Sequence, residues 1–92
     1  MSIVHRWNTR RFIRDEIEEV APVVGVYMLL TRDGYVNYVG SSRNLRSSLL
    51  HHQRRGDIPA HEFTAYQTNS QESALRLSTH LIFKYEPYYN DY

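Results

Sequence analysis

The stretch Val23-Val24-Gly25-Val26-Tyr27-Met28-Leu29-Leu30, followed by Thr31-Arg32-Asp33-Gly34 and then Tyr35-Val36-Asn37-Tyr38-Val39-Gly40, decides the fold. Its first part is apolar and reads as a strand from Val23 to Leu30. Asp33-Gly34 is a hairpin-turn dipeptide, and Tyr35 to Val39 reads as the returning strand. A two-residue loop at Asp33-Gly34 sets Leu29 opposite Tyr38 and Tyr27 opposite Gly40, so that both tyrosines share one face. Gly40 has no side chain to cover the ring opposite it, which leaves the Tyr27 hydroxyl approachable from that side. A three-residue loop breaks this register.

Working outward, Leu45, Leu49 and Leu50 mark a helix from about Ser42 to Arg54 with Ser41 or Ser42 as its cap, and Gly56 to Pro59 ends it. Phe63 to Gln67 reads as a third strand. Asn69-Ser70-Gln71-Glu72 resembles a capping box that opens a last helix running to about Tyr85. On that helix Ala74, Leu75, Leu81, Ile82 and Tyr85 form the expected inward stripe, with Ser78 in its middle. Upstream, Phe12, Ile13, Ile17 and Val20 recur at helical spacing, predicting an amphipathic helix from Thr9 to about Val20 that Pro22 stops. The expected architecture is α+β: a three-stranded antiparallel sheet flanked by three helices in one domain of residues 1–92, with 1–22 a helical extension and 23–90 the core. No linker, internal repeat or low-complexity segment interrupts it.

With 92 residues, 41% of them hydrophobic, the chain holds one core of modest size. No apolar run approaches the roughly 20 residues a membrane-spanning helix needs, and no basic segment with an apolar stretch opens the chain, so the expectation is a cytoplasmic protein with no membrane partner. The absence of cysteine removes disulfides and thiolate metal sites together. The formal net charge is only +1, but it is segregated along the chain. Arg32, Arg43, Arg46, Arg54 and Arg55 face Asp33 alone between residues 32 and 55, whereas Asp15, Glu16, Glu18 and Glu19 cluster upstream. Lys84 is the only lysine, so nearly every cation is a guanidinium suited to phosphate oxygens. Solvated helix faces produce arginine runs as well.

Gly25-Val26-Tyr27 and Tyr38-Val39-Gly40 resemble the paired tripeptides that name the GIY-YIG nuclease superfamily. Ser41-Ser42-Arg43-Asn44-Leu45-Arg46-Ser47-Ser48 is similar to the family's x-S-x-N-L-x-x-R segment, with Ser48 at the arginine position. Ala74 through Ile82 and Pro87-Tyr88-Tyr89-Asn90 are similar to its closing A-L-x-L-E-x-x-L-I and P-x-Y-N, with Ser78 at the glutamate position. The resemblance covers about Val23 to Asn90. It implies a three-stranded antiparallel sheet flanked by helices and hydrolysis of DNA phosphodiesters with one divalent metal. By the same resemblance Tyr27 assists proton removal from the attacking water, Tyr38 helps position it with Gly40 in the motif beside it, Asn90 supports the site, and His52 lies where some members place a functional histidine.

Phosphodiester cleavage builds negative charge on the phosphate and the leaving oxygen, and needs a fixed cation and usually a carboxylate-held metal. Ser48 and Ser78 supply neither, and a neutral hydroxyl replaces a carboxylate poorly for an oxygen-seeking ion such as Mg2+. Helix geometry puts Asn44, His51, His52 and Arg55 near the face of Ser48, and Arg46 about 200° away. His51 and His52 point about 100° apart, which disfavours a metal shared by that pair alone. Ser78 alone is equally an ordinary helix serine returning its hydroxyl to the carbonyl four residues back. The sequence therefore predicts a catalytically degenerate domain that binds nucleic acid, DNA by the resemblance, weakly and without cutting it, through Arg43, Arg46, Arg54 and Arg55. No cofactor or metal is expected, and Mg or Mn only if the chain is active. The alternatives are an active metal-dependent endonuclease with displaced ligands and a protein-interaction module on the same scaffold. Tyr35, Tyr66, Tyr85, Tyr88, Tyr89 and Tyr92 are candidates for base stacking, and equally for sheet packing, tail docking or a protein or homodimer contact.

Overall fold

The computed structural model describes residues 3–90. Four strands and three helices follow one another as β1 (Ile3–Arg11), α1 (Arg14–Ile17), β2 (Gly25–Leu30), β3 (Val36–Ser42), α2 (Leu45–Arg55), β4 (Glu62–Thr68) and α3 (Gln71–Tyr85). The strands form one antiparallel sheet in the order β1-β4-β2-β3. The α+β class and three helices agree with the sequence reading; the sheet has four strands, not three. No helix among the described residues is long and apolar enough to cross a membrane.

The additional strand replaces the front of the expected N-terminal helix from Thr9 to Val20. Ile3–Arg11 pairs along the outer side of β4, with Trp7 opposite Ala65, and only the four residues Arg14–Ile17 form α1. The 3.6-residue spacing was real but short: Ile17 and Val20 are fully buried and Phe12 packs on the same core, whereas Ile13 is 39% exposed. Upstream of Phe12 the edge of β4 offers a ladder of backbone partners, irregular at Ile3/His5 and Trp7/Arg10, and Trp7 supplies the one buried side chain that fixes which face of the strand points inward. The expected helical extension over 1–22 is thus partly a sheet strand.

The hairpin keeps the expected register by an unexpected route. The Thr31 N–H donates to the Tyr35 carbonyl, which closes a three-residue loop of Arg32, Asp33 and Gly34, and Gly34 sits at φ +88°. Such a loop offsets the strands by one residue, and an irregularity in the pairing between Leu29 and Leu30 restores them: Leu30 faces Val36, but Leu29 faces Tyr38 and Tyr27 faces Gly40. An extra residue, Asn37, is accommodated as a bulge. Both tyrosines therefore lie on one face even though the loop is three residues long.

The sheet carries helices on both faces. On one, α1 and α2 cover Tyr27, Leu29, Phe63 and Trp7, with Leu45 and Leu49 of α2 fully buried. On the other, Ala74, Leu77 and Leu81 of α3 pack on Val26, Met28, Leu30 and Val39. The inward stripe of α3 is thus Ala74, Leu77, Ser78 and Leu81; Leu75 and Tyr85 are 51% and 43% exposed, because the i, i+3, i+4, i+7 positions counted from Ala74 meet the sheet and those two lie beside or beyond it. Ser70 caps α3 by accepting from the Ser73 N–H. At α2 the cap is Asn44, which accepts from the Ser47 N–H at 3.0 Å, and not Ser41 or Ser42. Ser42 instead accepts from the Asn44 N–H and tightens the turn before the cap.

Candidate functional site

Tyr27 projects from the middle of β2, and Tyr38 stands beside it on β3 with ring centroids 6.1 Å apart. Gly40 makes the arrangement possible, since a Cβ there would lie 2.5 Å from both Cζ and the hydroxyl oxygen of Tyr27. The absence of that side chain gives the Tyr27 ring its seat. The phenol is not left open, however: Tyr27 is only 4% exposed. Its hydroxyl meets Nε2 of His52, one turn beyond Ser48 on α2, at 2.9 Å. The His52 ring also lies 5.3 Å from that of Tyr38, so the two tyrosines and the histidine form one cluster.

The far side of His52 is held by Asp57, which sequence reasoning did not single out. Gly56 ends α2 in the left-handed conformation and turns the chain back, bringing both carboxylate oxygens of Asp57 to 3.1 and 3.2 Å from Nδ1. Slight desolvation pushes the Asp57 carboxyl up, but the His52 hydrogen bond and charge, the residue's own backbone N–H and Arg55 together hold it below the usual carboxylate range. Burial pushes the Tyr27 hydroxyl above the usual tyrosine value, and Tyr38 and Asp57 add to the shift. The result is a linear chain, Tyr27 to His52 to Asp57, in which a free tyrosinate is disfavoured. Asp57 follows a helix-ending glycine and lies five residues after a candidate histidine, which was the available signal.

Asn90 reaches the site from the C-terminal segment. Its Oδ1 accepts from the Val39 N–H and its Nδ2 donates to the Val39 carbonyl, both at 2.9 Å. Its side chain therefore closes the outer edge of β3 at the residue between Tyr38 and Gly40. Tyr89 adds a main-chain bond to the Asn37 carbonyl, and Pro87 is fully buried. This part of the expected tail docking is made by backbone, proline and amide, while Tyr85, Tyr88 and Tyr89 stay exposed; Tyr92 lies outside the described residues.

The two serines at the departing positions are engaged locally. Ser48 shares a 2.6 Å hydrogen bond with Ser42 at the β3–α2 turn. Ser78 donates to the Leu75 carbonyl at 2.9 Å, three residues back, and is buried among the apolar residues of α3. No group of three or more His, Asp or Glu residues is gathered to hold a metal among the described residues. A hydroxyl committed to its own helix and neighbours such as Ala74, Leu77 and Leu81 do not make an oxygen-rich donor set, so the residues present do not fit a resident divalent cation.

The candidate phosphate-binding arginines separate into two groups. Arg46 is half-buried and donates from Nε to the Val20 carbonyl at 2.8 Å, tying the turn after α1 to α2, and Arg43 donates to the Gln71 side chain. Arg54 and Arg55 are exposed in the last turn of α2, and the Arg55 charge acts on Asp57. A shallow groove of about 280 Å3 lies elsewhere, at the hairpin end, lined by Thr31, Arg32, Asn37, Pro59, Ala60 and His61. It contains none of the side chains of the Tyr27, Tyr38 and His52 cluster.

A helix-flanked antiparallel sheet with a tyrosine from each of two paired strands, a histidine from the following helix and a C-terminal asparagine clamp defines the nuclease-type scaffold expected from the sequence. No protein-family model matches the chain. In structure it is similar to the GIY-YIG N-terminal endonuclease domain of UvrC from Thermotoga maritima bound to its catalytic divalent cation, magnesium, with a TM-score of 0.72 and 27% identity over 85% of this chain and 94% of that one. In sequence it is 31% identical over 87 residues to UvrABC system protein C of Novosphingobium aromaticivorans, and 33% identical over 84 residues to that of Methanosphaera stadtmanae. These alignments take in 85% and 79% of this chain but only 13% and 14% of the relatives, so the chain spans about a seventh of their length. The chain belongs to the GIY-YIG superfamily.

Proposed function

We propose that this domain binds nucleic acid on the Tyr27, Tyr38 and His52 face without performing metal-dependent cleavage. The observation that carries this reading is the local engagement of both departing positions: Ser48 bonds to Ser42 and Ser78 to the Leu75 carbonyl. Neither offers a cation to a phosphate nor a carboxylate to a metal, and losing one preorganised electrostatic interaction commonly costs about 100 to 1,000-fold in rate. DNA is the first candidate ligand because the structurally similar UvrC domain is an endonuclease domain and the superfamily motifs imply a DNA phosphodiester substrate. Exposed Arg54 and Arg55 in the last turn of α2 supply the phosphate contacts, together with exposed Arg43.

A second reading, an active endonuclease with displaced groups, draws support from the intact chain of Tyr27, His52 and Asp57 and from the Asn90 clamp on Val39. Incubation of purified protein with duplex, branched and single-stranded DNA in Mg2+ and in Mn2+ separates the two. Binding without cleavage is expected. Cleavage that disappears in Tyr27→Phe overturns the inactive reading, because a contaminating nuclease survives that substitution. Failure to bind DNA or RNA even at low salt points instead to a scaffold kept for protein contact.

A further inference from the structure

We propose that Asp57 is a positioning residue of this cleft, fixing the His52 imidazole with its proton on Nδ1 so that Nε2 is left to receive the hydroxyl proton of Tyr27. The inference rests on reading the Tyr27, Tyr38 and His52 face as the functional cleft. A carboxylate accepts hydrogen bonds and does not donate them, so the two oxygens at 3.1 and 3.2 Å from Nδ1 require the proton on that nitrogen. The other nitrogen of a neutral imidazole then has only a lone pair, and Tyr27, 2.9 Å away, must donate. The lone pairs of the Tyr27 oxygen are then directed away from the histidine. Among the described residues no other carboxylate bonds His52: the groups around it are Tyr27 from β2, Tyr38 from β3, His51 on its own helix, and Asp57 with Arg55 at the helix end.

The arrangement changes what the tyrosine can do. Under the active-endonuclease reading, a proton leaving a water or hydroxyl brought to the Tyr27 oxygen forms a new O–H bond there while the original Tyr27 O–H breaks and its proton forms a bond to Nε2. The phenol stays neutral throughout, and the positive charge arising on His52 is met by the Asp57 carboxylate. This follows the logic of a base held in one tautomer by a third group. Burial makes a free tyrosinate unfavourable, and the pair avoids forming one. The turn that delivers Asp57 is built into the end of α2 by the left-handed Gly56.

The test uses the whole 15N-labelled protein and long-range 1H–15N spectra of the histidine rings, with His52 assigned by its disappearance in His52→Gln. Wild type is expected to show one neutral tautomer, protonated at Nδ1. Asp57→Ala is expected to lose that single state and give a mixed ring signal, while the Trp7 indole resonance and the melting temperature stay close to wild type because Asp57 is exposed. Tyr27→Phe is expected to keep the Nδ1-protonated form. An Nε2-protonated ring in wild type, or an unchanged ring in Asp57→Ala, overturns the proposal. So does a tautomer that follows Tyr27→Phe and not Asp57→Ala. A titration of the same wild-type sample with labelled DNA and RNA separates the two claims: no binding defeats the nucleic-acid reading while the ring spectra still judge the role of Asp57.

Discussion

The Asn90 side chain completes the hydrogen bonding of a single residue of β3, taking the N–H of Val39 and giving to its carbonyl, each at 2.9 Å. A side-chain amide thus acts as one more pair of strand partners at the open edge of the sheet, at the residue that separates Tyr38 from Gly40. Replacing it exposes both Val39 groups and releases the C-terminal segment that Tyr89 also pins to Asn37. At roughly 0.5–1.5 kcal/mol for each hydrogen bond removed, Asn90→Ala is expected to cost about 1–3 kcal/mol. Thermal melting reads this as a fall of about 4–8 °C per kcal/mol for a domain of this size.

Alkaline stability reports on Tyr27. Its hydroxyl titrates above the ordinary value in the folded protein, so above about pH 10 the unfolded chain gives up this proton while the native one keeps it. The stabilisation is complete below that pH and is lost as pH rises further. Urea denaturation from pH 8 to 11 should show a decline in stability that is shallower in Tyr27→Phe, which has no hydroxyl to titrate. Absorbance titration should find one fewer late-ionising tyrosine in the variant. Equal declines in the two proteins contradict the buried hydroxyl.

The arginines should sort by what they touch. Arg54→Ala with Arg55→Ala is expected to weaken nucleic-acid binding and flatten the dependence of log affinity on log salt, by about 0.9 for each duplex phosphate no longer neutralised. Arg46→Ala removes the bond to the Val20 carbonyl, so it should lower stability by about 1 kcal/mol or more and leave the salt slope nearly unchanged. Fluorescence titration over a range of salt, paired with urea denaturation, distinguishes the two outcomes.

Ser48→Arg combined with Ser78→Glu should return divalent-metal binding to the domain. Each single change is expected to do little, because groups that act as a unit are not additive. The carboxylate placed among Ala74, Leu77 and Leu81 should destabilise the metal-free double variant, and Mg2+ or Mn2+ should recover part of the loss, about 2.7 kcal/mol when the metal is at 100 times its dissociation constant. Melting with and without metal measures this. A folded double variant that ignores both ions would leave the family scaffold without its cleft.

Much of this organisation was legible because its determinants are local. The two hairpin strands followed from apolar alternation around Asp33-Gly34, and α2 and α3 followed from leucine spacing and helix-ending residues, whereas the pairing of Tyr27 with Gly40 was reached through a loop length that the structure does not have. The loop length was not legible, since the one-residue offset at Gly34 is cancelled by a bulge that no dipeptide signals. β1 was hidden for a different reason: among its nine residues only Trp7 is buried, so there is no alternation to read, and its partner Ala65 lies far along the chain. Asp57 was missed because its value depends on the backbone turning back at Gly56. Leu75 was assigned inward and Leu77 was not, since a helix stripe known only from its apolar residues can be rotated by one position.

The placement of β4 between β1 and β2 has a consequence for the order in which the molecule is assembled. The hairpin of β2 and β3 closes over a few residues and can form early, but β1, although synthesised before the other strands, has no partner until β4 has been made and has docked on β2. Until then Trp7 stays uncovered, and closure must bridge the whole of β2, β3 and α2. Contacts of such long sequence separation slow folding. The two irregularities in its pairing, at Ile3/His5 and Trp7/Arg10, together with Arg6 and Arg11 on the exposed strand, are features that discourage a waiting edge from pairing with another chain. The first of these four strands in chain order is therefore expected to be among the last to take its place, and the first to let go under stress.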